Sequence, residues 1–225
     1  MKINHTIKGF PNQIGTYIEF PDVADLLLMP MFASASVDYV YKHGTEFQKY
    51  LIDKTPLTNK KKDVIVNAHI QFLTPSVKAS IQRIGGYGNG EWHIDSSVDP
   101  FEERDICHLI TTKATALTEF NANPIEVELE ANMSIMDYRY FINENEDPLG
   151  IIPKKMEPNK FTTFTNHVHR ATTPQKNEFR YFFRLLETDS FESSNDQIYH
   201  HSTVFTDEGY KKNIEVNEGS IMIHL

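Results

Sequence analysis

Trp92-His93-Ile94-Asp95 is the first stretch whose residue types and spacing could do chemistry. In an extended chain, side chains two apart share a face. His93 and Asp95 would then offer one imidazole nitrogen and one carboxylate oxygen to a divalent transition metal. Standing alone, a His-x-Asp is equally a surface pair or a hydrogen-bonded core histidine. The second stretch, Asn166-His167-Val168-His169-Arg170, lies far downstream between two strand-like segments. His167 and His169 share a face if extended, so either could add a second imidazole. Two histidines and one carboxylate on one side of a metal leave positions open, the ligand set of oxygen-activating iron(II). The third stretch, Phe179-Arg180-Tyr181-Phe182-Phe183-Arg184, reads as an aromatic strand with Arg180 and Arg184 on one face. An arginine turned into an apolar interior is costly unless an anion meets it. A carboxylate matches the guanidinium fork. That carboxylate could belong to the chain, or to a ligand beside the metal.

Taken in order, these three features resemble the iron(II)- and 2-oxoglutarate-dependent oxygenases. That family carries His-x-Asp or His-x-Glu, then a distal histidine, then an arginine or lysine a short way beyond it. The matching residues here are His93 and Asp95, then His169, then Arg180 eleven positions on. His169-Arg170-Ala171-Thr172-Thr173-Pro174 is also similar to the distal-histidine strand of many members. The resemblance spans residues 76 to 187 and draws nothing from the N-terminal third. It implies a double-stranded β-helix, a jelly roll of the cupin kind, with Fe(II) held by His93, Asp95 and His169. It implies 2-oxoglutarate as co-substrate, its far carboxylate on Arg180, and O2 as oxidant. His167 becomes a neighbour of the metal site. Arg184, on the same face as Arg180, is the other candidate for 2-oxoglutarate or for an anionic substrate. Because Asp95 fills the place that family halogenases leave for chloride, hydroxylation is expected, or a related oxidation such as desaturation or demethylation. A small-molecule substrate such as an amino acid or derivative is the first expectation. A peptide or protein hydroxylase is the second, and a non-catalytic cupin-like metal- or ligand-binding protein the third.

The elements that must position these residues read mostly as strands. Val64 to Phe72 is rich in β-branched and aromatic residues, and Ser76 to Ile84 alternates apolar and polar. The glycine cluster from Gly85 to Gly90 marks a turn before the short extended stretch Glu91 to Asp95. Tyr87 and Trp92 are candidates to line a pocket there, and Arg83 to touch substrate. Further strands are expected at 106–112, 116–120, 125–131, 161–168, 179–186, 202–206 and 214–225. Residues 1–62 read as a mixed α/β portion packed on a jelly-roll core of 63–225, the whole forming one domain. Within that portion Gln13 to Phe20 reads as a strand, and Pro21 to Leu28 and Thr45 to Asp53 as helices, Thr45 serving as a cap. Strands without regularly alternating helices argue for a sandwich or barrel rather than a doubly wound sheet.

Bulk properties narrow the class. The 225 residues suffice for one domain with a core of its own. A net charge of −9 opposes tight nonspecific binding to nucleic acid. Lys60-Lys61-Lys62 is the one basic run, read as a solvated loop. The single cysteine, Cys107, excludes an internal disulfide and a multi-thiolate site. The N-terminus lacks an apolar leader and no stretch approaches a membrane span, so a cytoplasmic protein is expected. A homodimer is the base-rate expectation. His200-His201 makes a poor metal pair, since neighbours on a strand face opposite ways. His108 reads as an ordinary core or surface residue.

Overall fold

The structure, a computed structural model, describes residues 1–73, 75, 91–95, 99–103 and 105–189, with the backbone of five short strands between 198 and 223. The expected strand 76–84 with Arg83, the glycine cluster 85–90 with Tyr87, and the His200-His201 pair lie outside the described residues. The chain runs through β1 (Lys2–Ile7), β2 (Asn12–Ile14), α1 (Val23–Leu27), β3 (Met31–Ser36), α2 (Val37–His43) and α3 (Glu46–Lys54). Next come β4 (Asp63–Leu73), β5 (Ile106–Thr111), β6 (Thr118–Asn121) and β7 (Ile125–Glu130). Then follow α4 (Ile135–Glu144), α5 (Glu146–Leu149), β8 (Pro153–Lys155), β9 (Phe161–Phe164), β10 (His169–Ala171) and β11 (Glu178–Thr188). The last strands are β12 (Ile198–Tyr199), β13 (Thr203–Thr206), β14 (Gly209–Lys212), β15 (Ile214–Asn217) and β16 (Ser220–Ile223). The protein is mainly β, with antiparallel sheets and flanking helices.

The main sheet orders its strands β12-β3-β4-β11-β5-β9-β2, and a smaller sheet runs β10-β6-β8. His93 extends the small sheet through a bridge to His169. From β4 onward the chain moves between the sheets: β4 in the main one, the 91–95 segment in the small one, β5 main, β6 and β8 small, β9 main, β10 small, β11 main. Two strands hold the centre of the main sheet. β11 pairs with β4 from Glu178↔Leu73 to Thr188↔Asp63 and, on its other edge, with β5.

The two-residue period of a strand then decides which side chain faces which layer. On β4 and β11, Val66, Ala68, Ile70, Tyr181, Phe183 and Leu185 join one buried cluster with Leu26 and Leu27 of α1, Val40 of α2, and Leu51 and Ile52 of α3. The alternate residues turn toward the small sheet. There Cys107, Leu109, Phe164, Phe182 and Leu186 meet Leu117, Phe120 and Met156. A third cluster covers the outer side of the small sheet. It joins Trp92, Ile94 and Val168 to Ile7 of β1, Leu129 of β7 and Tyr138 and Ile142 of α4. Each fully buried Leu, Ile or Phe contributes roughly 1.5–3 kcal/mol relative to exposure, so these patterns fix strand register firmly.

Local signals set the helices. Thr45 caps α3 in a capping box with Gln48, where the sequence places a cap. Gln48 is wholly buried and its Nε2 donates to Pro30 O (2.7 Å) and Tyr181 Oη (2.9 Å), which docks α3 on the sheet. The expected strand Gln13 to Phe20 shrinks to β2. Gly15 follows at φ +96°, a conformation that ends the ladder and suits glycine alone. The region 132–150, unassigned from sequence, holds α4 and α5. No helix among the described residues is long and apolar enough to cross a membrane.

Candidate metal centre

Alternation along the 91–95 segment produces the site. Trp92 and Ile94 are buried in the outer cluster beside α4, so His93 and Asp95 turn to the opposite side, toward the main sheet. On β10 the same alternation buries Val168 outward and turns His169 inward. Backbone bonds lock the two strands together, His93 N–H to His169 O and His169 N–H to His93 O, both 2.9 Å. The outcome is that one ligand atom from each of His93, Asp95 and His169 lies within 4.8 Å of the others. Asp95 Oδ1 stands 3.8 Å from His93 Nε2 and 3.5 Å from His169 Nε2. This group could hold a metal ion.

The imidazoles are oriented for that task. His93 Nδ1 donates to Glu91 O (3.1 Å) and His169 Nδ1 donates to His167 O (2.9 Å). With Nδ1 held on a carbonyl, each ring turns its Nε2 toward Asp95. Fixing the far nitrogen on a carbonyl is how proteins aim a metal-binding histidine. Burial, with His169 next to it, pushes the His93 imidazolium down to about 3, so the ring is neutral. Burial alone would raise the Asp95 carboxyl, but the neighbouring His169 and the Arg184 guanidinium outweigh it and hold the group below the usual carboxylate range. Rings of Phe120 and Phe164 pack against His169 at 5.5 and 5.2 Å between centroids. Two nitrogens and one carboxylate oxygen suit a mid-series divalent transition metal.

The two arginines have different neighbours. Arg184 Nη1 reaches Asp95 Oδ2 at 3.3 Å, so its charge is met by a carboxylate of the site itself. Arg180 is 3% exposed, and its Nε donates to Gln71 Oε1 (2.7 Å) and its Nη1 to Ala116 O (2.8 Å). Those partners are neutral. Burial lowers Arg180 to about 10, partly offset by Glu178, and it remains charged at neutral pH. Between the two arginines on the same face, His69 stacks on Phe182 (4.7 Å between centroids) and its Nε2 meets Gln71 Nε2 at 3.0 Å. Beside Asp95 and Arg184 lies a cavity of about 190 Å³ whose wall includes Glu102, Cys107, Asn166 and Leu186.

His167 lies apart from the triad. Its Nδ1 accepts from Thr165 N–H (3.2 Å), and burial lowers it to about 4. What it supplies is the carbonyl that orients His169. Cys107 is buried, and burial raises its thiol well above the ordinary value. In the lysine run, Lys61 pairs with Asp189 (2.9 Å) and Lys62 N–H donates to the same carboxylate (3.0 Å). His108, at 0% exposure, joins Glu187 (2.7 Å) and Thr163 (2.9 Å) on the helix-covered side of the sheet, away from the metal group.

Reading the sequence missed three supports of the site: Gln71 under Arg180, Asn143 against Trp92, and Arg170. Arg170 holds Glu119 and Glu146 at 3.1 Å each and lies 4.3 Å over the Trp92 ring. A signal for Asn143 was present, because Ser134-Ile135-Met136-Asp137 is a capping-box pattern that opens the helix carrying it. Comparisons of the chain with family models, with curated proteins and with solved structures give no match.

Proposed function

We propose that this protein is a non-haem iron(II) and 2-oxoglutarate-dependent oxygenase built on a double-stranded β-helix. One observation carries the reading. Two histidines and an aspartate face inward from the small sheet, while an arginine with neutral hydrogen-bond partners is buried on the facing strand β11. The jelly-roll assignment draws on the strand path, in which the chain from β4 to β11 passes between two sheets with its ligands on adjacent strands of the smaller one.

His93, Asp95 and His169 would hold Fe(II). Asp95 Oδ2 is held by Arg184 while Oδ1 faces both histidines, an arrangement suited to one-oxygen ligation. Arg180 would bind the far carboxylate of 2-oxoglutarate through donors not used on Gln71 and Ala116. Guanidinium has five N–H donors, and two are committed there. Arg180 lies four residues from Arg184 on an extended strand, roughly 13 Å at about 3.3 Å per residue. When bound, the iron and its co-substrate supply oxygen activation coupled to decarboxylation of the 2-oxo acid to succinate and CO2. The aromatic rings of Phe120, Phe164 and Phe182 pack along the inner face of the small sheet. The cavity beside Asp95 suits a small-molecule substrate of amino-acid size, and hydroxylation remains the favoured outcome.

Binding of 2-oxoglutarate to Mn(II)-loaded protein, measured by calorimetry without oxygen, tests the assignment. Arg180→Met is expected to weaken that binding at least about 30-fold, the loss of about 2 kcal/mol or more that truncating a buried charge pair brings, while Mn(II) affinity holds. Loss in Arg184→Met instead would move the anion anchor to Arg184. Wild-type protein that takes Mn(II) but not 2-oxoglutarate would favour a cupin-like metal-binding protein.

A further inference from the structure

We infer that Asn143 is a positioning residue of the metal centre, holding the backbone from which His93 reaches the metal. The inference rests on reading His93, Asp95 and His169 as metal ligands.

Among the described residues, the ladder between 91–95 and β10 consists of the two bonds between His93 and His169. In an extended chain, successive residues direct their backbone groups to opposite edges. The N–H and C=O of Trp92 therefore point away from β10. No strand lies on that edge among the described residues. Asn143, in the last turn of α4, takes the place of one. Its Oδ1 accepts from Trp92 N–H at 2.9 Å and its Nδ2 donates to Trp92 O at 2.8 Å. A carboxamide carries the donor and acceptor of a peptide group, so one side chain meets both. The second Nδ2 hydrogen donates to Arg139 O in the same helix (2.8 Å), which fixes the plane of the amide. Arg139 adds a tie to Glu91 at 3.0 Å.

This clamp matters because the site depends on the phase of the chain from Trp92 to Asp95. Trp92 and Ile94 must face α4 so that His93 and Asp95 face the main sheet. A slip of one residue would exchange the two pairs across the sheet. Burial of the Trp92 ring resists that slip, and Arg170 over the ring adds to it. Asn143 acts on the backbone itself, one residue from His93 N–H and next to Glu91, whose carbonyl orients the His93 ring.

The alternative is that Asn143 merely stabilises the end of α4. Asn145 supplies the control: its Nδ2 donates to Phe141 O at 2.8 Å, in the same helix end, and not to the Trp92 backbone. Mn(II) affinity is measured from the free-ion resonance, and melting temperature alongside, for wild type, Asn143→Leu, Asn143→Asp and Asn145→Leu. Substitutions outside the ligand set that orient ligands typically cost ten- to a hundredfold in metal affinity. That range is expected for both Asn143 variants, with Asn145→Leu retaining wild-type affinity whatever its melting temperature. Wild-type affinity in the Asn143 variants, accompanied only by lower melting temperatures, would overturn the inference. Asn143→Asp keeps the acceptor and the size of the side chain, so it serves if the leucine variant fails to fold. Independently of any variant, the Trp92 amide of the wild type should exchange with solvent deuterium as slowly as that of His93, and fast exchange would overturn the clamp. Wild-type protein that binds no Mn(II) would overturn the metal reading, and the inference with it.

Discussion

His93, Asp95 and His169 differ from an accidental cluster in how their far atoms are held. Each imidazole is tied through Nδ1 to a carbonyl, and the second carboxylate oxygen is tied to Arg184. Three side chains are thus aimed at one point by partners that are not themselves ligands. On the proposed reading, removing one of the three should therefore act on metal affinity far more than on folding. Asp95→Ala and His169→Ala are expected to abolish retention of Fe(II) or Mn(II) through gel filtration. His167→Ala should retain the metal, because that side chain is turned to Thr165 and only its carbonyl serves the site. Metal analysis after anaerobic reconstitution reads both. A His167 variant that loses metal while His169→Ala keeps it would reverse the assignment. The pair was ambiguous in the sequence because both residues share a face in an extended chain. The structure separates them by starting β10 at His169, after the backbone has left β9 at Phe164.

Elements were legible where alternation and residue type agreed. β4, β5, β7 and β11 lie within a residue or two of their expected bounds, since each is rich in β-branched, aromatic or other apolar residues. The misses have physical causes. β3, Met31–Ser36, holds a single aromatic, Phe32, with four of its six residues alanine or serine, and forms because it pairs with β4 across a bulge, with Ser34 at φ 59°. β1 exists through its partner: Lys2 meets Glu128 and Thr6 meets Glu126 on β7, a match no local pattern encodes. α4 carries Ile135, Tyr138, Tyr140, Phe141 and Ile142, residue types that favour a strand, yet the Ser134 and Asp137 box and the burial of Tyr138 and Ile142 against Trp92 make it a helix. Missing α4 also hid Asn143, so the support of the site was less legible than its ligands.

At the scale of the molecule, the main sheet separates two chemistries. One face is sealed by α1, α2 and α3 over an apolar core, and the other carries the titratable groups of the proposed site. Keeping neutral histidines inside has a pH consequence. Burial, helped by Arg180 and Arg184, depresses His69 to about 3, and burial also lowers His108 and His5 despite their acidic neighbours. Below the ordinary histidine pKa of about 6.5 the unfolded chain binds more protons than the folded one, so stability falls as pH falls. For His69 the loss runs from about pH 6.5 toward 3, at up to about 1.4 kcal/mol per pH unit. Urea denaturation of metal-free protein should show lower stability at pH 5 than at pH 7.5, and His69→Gln should reduce that difference. An unchanged difference in the variant would show that His69 titrates as an exposed residue.

The central claim is that the metal group and Arg180 together form one oxygenase site. The most direct measurement is succinate released from 2-oxoglutarate by purified protein given Fe(II) and oxygen, with Asp95→Ala and Arg180→Met prepared in parallel. The account predicts slow, oxygen-dependent succinate formation by the wild type even without the prime substrate, and little or none by either variant. Absence of succinate from wild-type protein shown to carry Fe(II), or equal formation by the Asp95→Ala variant, would contradict it.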